Sequence, residues 1–136
     1  MKMTKALSLC LIITLSVTVL NCGQQRSAKL DRIHFDFDKS FVRNDMIPTL
    51  DKNVSKLKKS KKSVSTLTVE GHCDERGSNE YNYALGAERA SAVKSYYVSH
   101  GVSASRVKTV SYGEDKPLKK GDGEDNWYMN RRAESK

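Results

Sequence analysis

The chain is poor in the features that would give it covalent staples or catalytic machinery. Its 136 residues include three cysteines, two prolines and one tryptophan, and aromatic side chains make up 7%. Three cysteines so placed exclude a disulfide framework. Cys10 lies inside the leading apolar run, Cys22 stands at its end, and Cys73 is left without an intramolecular partner, as a small buried hydrophobe at a strand end. There is no H-E-x-x-H, no C-x-x-C and no G-x-S-x-G. Their absence argues against a zinc enzyme and a serine hydrolase, so no enzymatic activity, metal or cofactor is expected. No apolar run is long enough to span a bilayer. Few aromatics accompany the basic run, so the stacking platform of a single-strand binder is missing and no nucleic-acid partner is expected. There are no internal repeats.

What is present reads as an export segment followed by one small domain. Lys2 and Lys5 form a positive leader, and Ala6 to Leu20 is almost purely apolar, as in a cleaved signal peptide over 1–21. The run ends in Val19-Leu20-Asn21-Cys22, followed by Gly23. This resembles the lipobox of bacterial lipoproteins, in which the Cys becomes the acylated first residue. Asn21 stands where that motif prefers a small residue, and ordinary cleavage near Cys22 is the alternative. Residues 22–29 are polar and read as a tether, leaving residues 30–136 for the domain. Losing Lys2 and Lys5 leaves 24 − 2 = 22 basic residues against 16 acidic, or +6.

Ile33 to Asp38 alternates at period two and predicts a strand with Ile33, Phe35 and Phe37 inward. Ile47, Leu50, Val54 and Leu57 predict a helix. Pro48 must lie in its first turn, which favours Asp45 as the N-cap. Lys56, Lys58, Lys59, Lys61 and Lys62 close this helix. They form either a solvated basic end or a surface attracted to anionic lipid or polymer. Thr66 to Glu70 is a second strand. It runs into Gly71-His72-Cys73-Asp74-Glu75-Arg76-Gly77, a loop dense in function-capable side chains.

A long helix follows from about Asn79 to His100, with Ser78 as N-cap and Gly101 as stop. Tyr83, Ala87, Ala90, Val93 and Tyr97 make its predicted core stripe, with alanines allowing close approach to a sheet. Asn82 and Arg89 fall on one flank, at the rim of a cleft. Arg106 to Tyr112 is a third strand, and Asn126 is placed to cap a short last helix. Ala133 to Lys136 is the start of a strand at most.

The order is β-α-β-α-β-α-β, and three segments are specific: Phe35-Asp36-Phe37-Asp38-Lys39, Val69 through Gly77, and Asn130-Arg131-Arg132-Ala133-Glu134. With Tyr81-Asn82, Leu85-Gly86, Arg89-Ala90 and Val110 to Gly113, they closely resemble the peptidoglycan-associated lipoprotein (Pal) family with its OmpA C-terminal-like domain. The resemblance implies an α/β (α+β) sandwich, a mixed sheet packed on two main helices. It also implies non-covalent binding of peptidoglycan through the meso-diaminopimelate of its stem peptide. Asp74 and Arg89 fall on the positions that grip that residue, flanked by Phe37, Asp38, Asn82 and Leu85.

The chemistry is consistent with that role. Diaminopimelate ends in a zwitterion, which one carboxylate and one guanidinium match charge for charge. Spacing alone leaves a structural alternative, in which Asp74 caps the helix and Arg89 pairs with it. Glu75 and Arg76 fit a loop ion pair as well as ligand contact. The resemblance further implies a lipid-anchored place at the periplasmic face of the outer membrane, an address that Gly23 after Cys22 fits. Its implied partners are Tol-system periplasmic proteins. The rival is a soluble polyanion binder using Lys56 to Lys62.

Overall fold

The computed structural model describes residues 29–60 and 66–136. The leader, Cys22, the tether before Lys29, and Lys61 and Lys62 lie outside the described residues. The elements are β1 (Ile33–His34), α1 (Ile47–Lys59), β2 (Leu67–His72), α2 (Asn79–Ser99), β3 (Val107–Gly113), α3 (Glu124–Asn130) and β4 (Arg132–Ser135). The β-α-β-α-β-α-β order is therefore observed. The strands form one mixed sheet in the order β1-β4-β2-β3. β2 and β3 are parallel, and β4 runs antiparallel to both β1 and β2. The last strand, expected to be marginal, is thus interior to the sheet. Its Ala133 pairs with Ile33 on one side and Gly71 on the other.

Alternation along β2 points Leu67, Val69 and Gly71 to the helices, and Thr68, Glu70 and His72 to the opposite face. The core lies between sheet and helices. Leu50, Val54 and Leu57 of α1 and Ala90, Val93 and Tyr97 of α2 pack with Ile33, Phe35, Val69, Val107 and Ala133.

Several local readings are corrected. β1 stops at His34, because the chain turns through Asp36 to Lys39 with a Lys39 N–H to Asp36 carbonyl bond of 3.2 Å. Phe35 is buried as expected, but Phe37 is 54% exposed. A short 3-10 turn, Asn44–Met46, precedes α1, so Met46 and not Asp45 is the N-cap. Asp45 instead pairs with Arg43 at 2.8 Å. Pro48 does lie in the first turn of α1. Gly123, at φ +111°, occupies the N-cap of α3 rather than Asn126.

The buried face of α2 is rotated from the predicted stripe. Asn82, Leu85, Gly86, Arg89, Ala90, Val93 and Tyr97 are buried, while Tyr83 is 55% exposed and Ala87 is also exposed. The cause is a glycine contact. A Cβ on Gly71 would lie 1.7 Å from the Gly86 carbonyl oxygen, so helix and strand touch backbone to backbone there. The close approach comes from Gly71 and Gly86 rather than from alanines. It turns Asn82 and Arg89 inward and Tyr83 outward.

Candidate functional site

The β2–α2 loop opens a cavity of about 260 Å³. It is lined by Phe37, Asp38, Asp74, Asn82, Leu85 and Arg89, all six of the ligand-contact residues expected from the sequence, together with Cys73, Arg76, Gly77 and Tyr81. Those six come from three separated segments: the turn after β1, the loop after β2, and the first half of α2. Ser78 starts α2 at the right place, its hydroxyl accepting the Tyr81 N–H at 3.2 Å.

Arg89 is the centre of the assembly. It is 1% exposed, so it stands in the buried face of α2 and not at the rim. Its Nε donates to the Lys39 carbonyl at 2.8 Å, Nη1 to the His72 carbonyl at 2.9 Å and Nη2 to the Asp36 carbonyl at 3.1 Å. Two of those acceptors are the ends of the turn that carries Phe37 and Asp38. Arg89 therefore clamps this turn to the end of β2. Asp38 at its tip has φ +56°, a left-handed conformation that Asp tolerates better than most residues. A guanidinium has five N–H groups. Three are committed here, leaving one on each terminal nitrogen.

Asp74 is also buried, at 4% exposure. It neither caps α2 nor pairs with Arg89. Its carboxylate accepts from Arg76 N–H and Nε, each at 3.1 Å, and from Arg76 Nη2 at 2.7 Å. Arg131 Nη1 lies 3.5 Å from the same carboxylate. Burial pushes the Asp74 pKa up, but the Arg76 hydrogen bonds and the two guanidinium charges outweigh it and hold it below the ordinary value. Asp74 is therefore an anion at neutral pH.

Arg76 is the residue whose role the sequence left open, and Glu75 is not its partner. Its guanidinium lies between two aromatic rings, 3.9 Å from the Phe37 centroid and 4.0 Å from that of Trp127. Glu75 accepts instead from the Trp127 indole N–H at 3.2 Å.

Other lining groups are held as firmly. The Asn82 side-chain amide donates to the Asp74 carbonyl at 3.2 Å, the Arg76 carbonyl at 3.1 Å and Glu114 at 2.6 Å. The Tyr81 hydroxyl donates to Asp38 across the mouth. The Cys73 thiol donates to the Asn82 carbonyl at 3.2 Å, and burial pushes its pKa up to about 11. That is an inert structural thiol, as expected. Sequence reasoning missed Tyr81 and Arg131 as site residues. Arg131 is 3% exposed, donates to the Phe35 carbonyl at 2.9 Å and pairs with Glu124. The only sequence signal for either was membership in the quoted motifs.

The assembly suits recognition of a small charged group. A carboxylate and a guanidinium are both buried, both ionised and both fixed by several bonds.

Comparison with known proteins agrees with this geometry. Residues 34–131 match the OmpA family. The chain is 48% identical over 103 residues to a protein of Rhizobium meliloti (strain 1021) named peptidoglycan-associated lipoprotein, covering 76% of this chain and 57% of the relative. It is 43% identical over 103 residues to the protein of that name from Pseudomonas aeruginosa, covering 76% of this chain and 60% of the relative. The chain thus spans less than two thirds of the length of these relatives. The crystal structure of the peptidoglycan-associated lipoprotein from Burkholderia pseudomallei superposes with a TM-score of 0.71 at 36% identity, covering 76% of this chain and 86% of that one. With the fold, the motif residues and these matches in agreement, the chain belongs to the OmpA family.

Proposed function

We propose that this domain binds peptidoglycan non-covalently, taking the diaminopimelate of the stem peptide into the 260 Å³ cavity. The observation that carries the reading is the convergence of Phe37, Asp38, Asp74, Asn82, Leu85 and Arg89 on that one cavity. The names of the relatives point the same way.

The uncommitted groups define the recognition. The two free N–H groups of Arg89 receive the ligand carboxylate. The ammonium meets the Asp38 oxygen that Tyr81 does not occupy, beside the Asp74 carboxylate, whose oxygens it shares with Arg76 and Arg131. Leu85 and the Phe37 ring cover the methylene chain. No proton is transferred, and no bond is made or broken.

In this reading Cys22 is acylated. The domain then hangs from the periplasmic face of the outer membrane, ties it to the wall, and works with Tol-system periplasmic proteins. Sedimentation with sacculi of two chemistries tests the binding. Sacculi containing meso-diaminopimelate should retain the protein, and sacculi with lysine at that position should not. Equal retention by both refutes the assignment. Cys22→Ala should move the mature protein from the membrane to the soluble periplasmic fraction. Retention in the membrane refutes the anchor.

A further inference from the structure

The opposite end of the sheet carries a second, larger cavity of about 790 Å³. The two cavities flank β2. One is lined by its first residue, Leu67, and the preceding Thr66, and the other by Cys73 and Asp74 just past its end. Five residue steps from Leu67 to His72 at about 3.3 Å each separate them by roughly 17 Å.

The larger cavity is where the described chain begins. Lys29 lines it, and Lys56 Nζ holds the Lys29 carbonyl at 2.8 Å. Arg32, Lys56, Arg106 and Lys136 line it as well. The Arg106 Nε is buried without a hydrogen-bond partner. Acids at this end are already matched. Asp31 pairs with Lys52 at 3.0 Å and Lys56 at 3.1 Å, and Glu134 with Arg32 at 2.9 Å. Lys29, Lys58, Lys59 and Arg106 have no carboxylate partner among the described residues. Residues 1–28 and 61–65 contain no Asp or Glu at all. Among the described residues, no carboxylate is therefore ion-paired to the surplus positive charge at this end.

We infer that this end is a docking surface for a membrane bearing anionic phosphate headgroups, the same membrane in which Cys22 is anchored. The inference rests on the acylation of Cys22 proposed above. The seven residues from Gly23 to Lys29 reach about 25 Å at roughly 3.5 Å each. A compact domain of this length has a radius of gyration of about 13 Å, which for a sphere is a width of roughly 34 Å. The tether is thus shorter than the domain is wide, and the Lys29 end is the part that reaches the lipid. A cationic surface beside an acyl anchor adds a second, electrostatic attachment. It also fixes orientation: with the cations against the lipid, the cavity at the far end of β2 faces away from the membrane.

The test uses the unacylated chain from residue 22 with Cys22→Ala, so its outcome is independent of the anchor. The protein is sedimented with vesicles of phosphatidylcholine alone, or mixed with phosphatidylglycerol. The expected result is retention by the mixed vesicles only, weakening as salt rises. The triple variant Lys58→Gln/Lys59→Gln/Arg106→Gln should bind the mixed vesicles at least tenfold more weakly, with sacculus binding and thermal unfolding unchanged. Equal binding by parent and variant, or no preference for the anionic vesicles, overturns the inference. So does inorganic polyphosphate bound as tightly as vesicles at equal accessible phosphate, which would make the surface a site for a soluble polymer. Failure here leaves the stem-peptide reading intact, because sacculus binding is measured separately on the same proteins.

Discussion

The two ends of this domain use ionic side chains to opposite physical effect. At the cavity end, Arg89, Asp74 and Arg131 are buried and each is held by two or more partners. At the Lys29 end, Asp31, Lys52 and Lys56 form ion pairs whose side chains are 40%, 64% and 28% exposed. Burial strengthens each contact at the first end and makes each loss costly. Water and salt screen the contacts at the second. One end is built to hold a fixed geometry, and the other presents a field.

Breaking the first end should produce the largest effect. Arg89→Lys keeps the charge but cannot reach three carbonyls in three directions. The buried His72 carbonyl loses its donor, at about 1–3 kcal/mol for a buried group left unsatisfied, and the Lys39 and Asp36 carbonyls, in exposed residues that water reaches, lose bonds worth about 0.5–1.5 kcal/mol each. A total loss of about 3 kcal/mol or more is expected in urea unfolding. Sacculus binding should fail even in the fraction that remains folded, because Phe37 and Asp38 ride on the released turn. A variant of parental stability would show that the clamp is not what holds that turn.

The next largest effect is expected from Asp74→Asn. The amide keeps the shape but loses the charge that faces Arg76 and Arg131. Hydrogen bonds to charged groups are worth about 1.5–3 kcal/mol, and the unfolding midpoint should fall accordingly. Both substitutions would leave stability untouched if these side chains sat at a cleft rim, where the sequence placed Arg89, but their burial rules that out. Binding must therefore be measured on the folded fraction. Full sacculus binding by folded Asp74→Asn protein removes Asp74 from the ligand site.

How far the sequence revealed this end depends on the kind of contact. Strand and helix order was readable, since apolar period and stop signals such as Gly101 are local. The face of α2 was not. A helical wheel ranks Tyr83 and Ala87 as core by hydrophobicity, yet the helix is rotated by the Gly71–Gly86 contact, which joins two elements. The six cavity residues were legible only through the resemblance of whole motifs. Nothing local says that Arg89 reaches Asp36, or that Asp38 meets Tyr81. Trp127 and Phe37 enclosing Arg76 joins segments from opposite ends of the domain.

A third and smaller effect lies on the sheet face away from the helices. His72 is 1% exposed, and neither ring nitrogen has a hydrogen-bond partner. Burial, with the nearby Arg132 charge, depresses its pKa from 6.5 to about 4. The folded value lies below the unfolded one, so the unfolded chain binds the extra proton between them. This contribution is complete above pH 6.5 and is lost as pH falls towards 4. Burial raises the Glu134 pKa, but Arg132 and Arg32 more than offset that and hold it at about 2 against an ordinary 4.5, so its own loss begins only below that ordinary value. Thermal unfolding between pH 6.5 and 4.5 should therefore fall with acid in the parent and fall less in His72→Gln. Parallel profiles would mean that His72 is protonated in the fold.

The smallest effect sharpens the comparison because it repeats one chemical change at the other end. Asp31→Asn removes a carboxylate from two lysines, as Asp74→Asn removes one from two arginines. Asp31 lies 3.0 Å from Lys52 and 3.1 Å from Lys56, and its pKa is lowered first by its hydrogen bond to Lys52 and then by that to Lys56. Yet the side chain is 40% exposed, and water replaces much of what the substitution removes. Exposed pairs of this kind contribute about 0.2–1 kcal/mol. The part of Asp31 that the fold relies on is its backbone. Its N–H donates to the Asn53 side chain at 2.9 Å, and its carbonyl accepts from the same amide at 2.8 Å. Neither bond involves the carboxylate, so neither is lost. Asp31→Asn should therefore shift urea unfolding by less than about 1 kcal/mol, less still at high salt, and leave sacculus binding at the parental level. A loss equal to that of Asp74→Asn would show that the Lys29 end is also an ordered, mutually braced site, and the contrast between the two ends would fail.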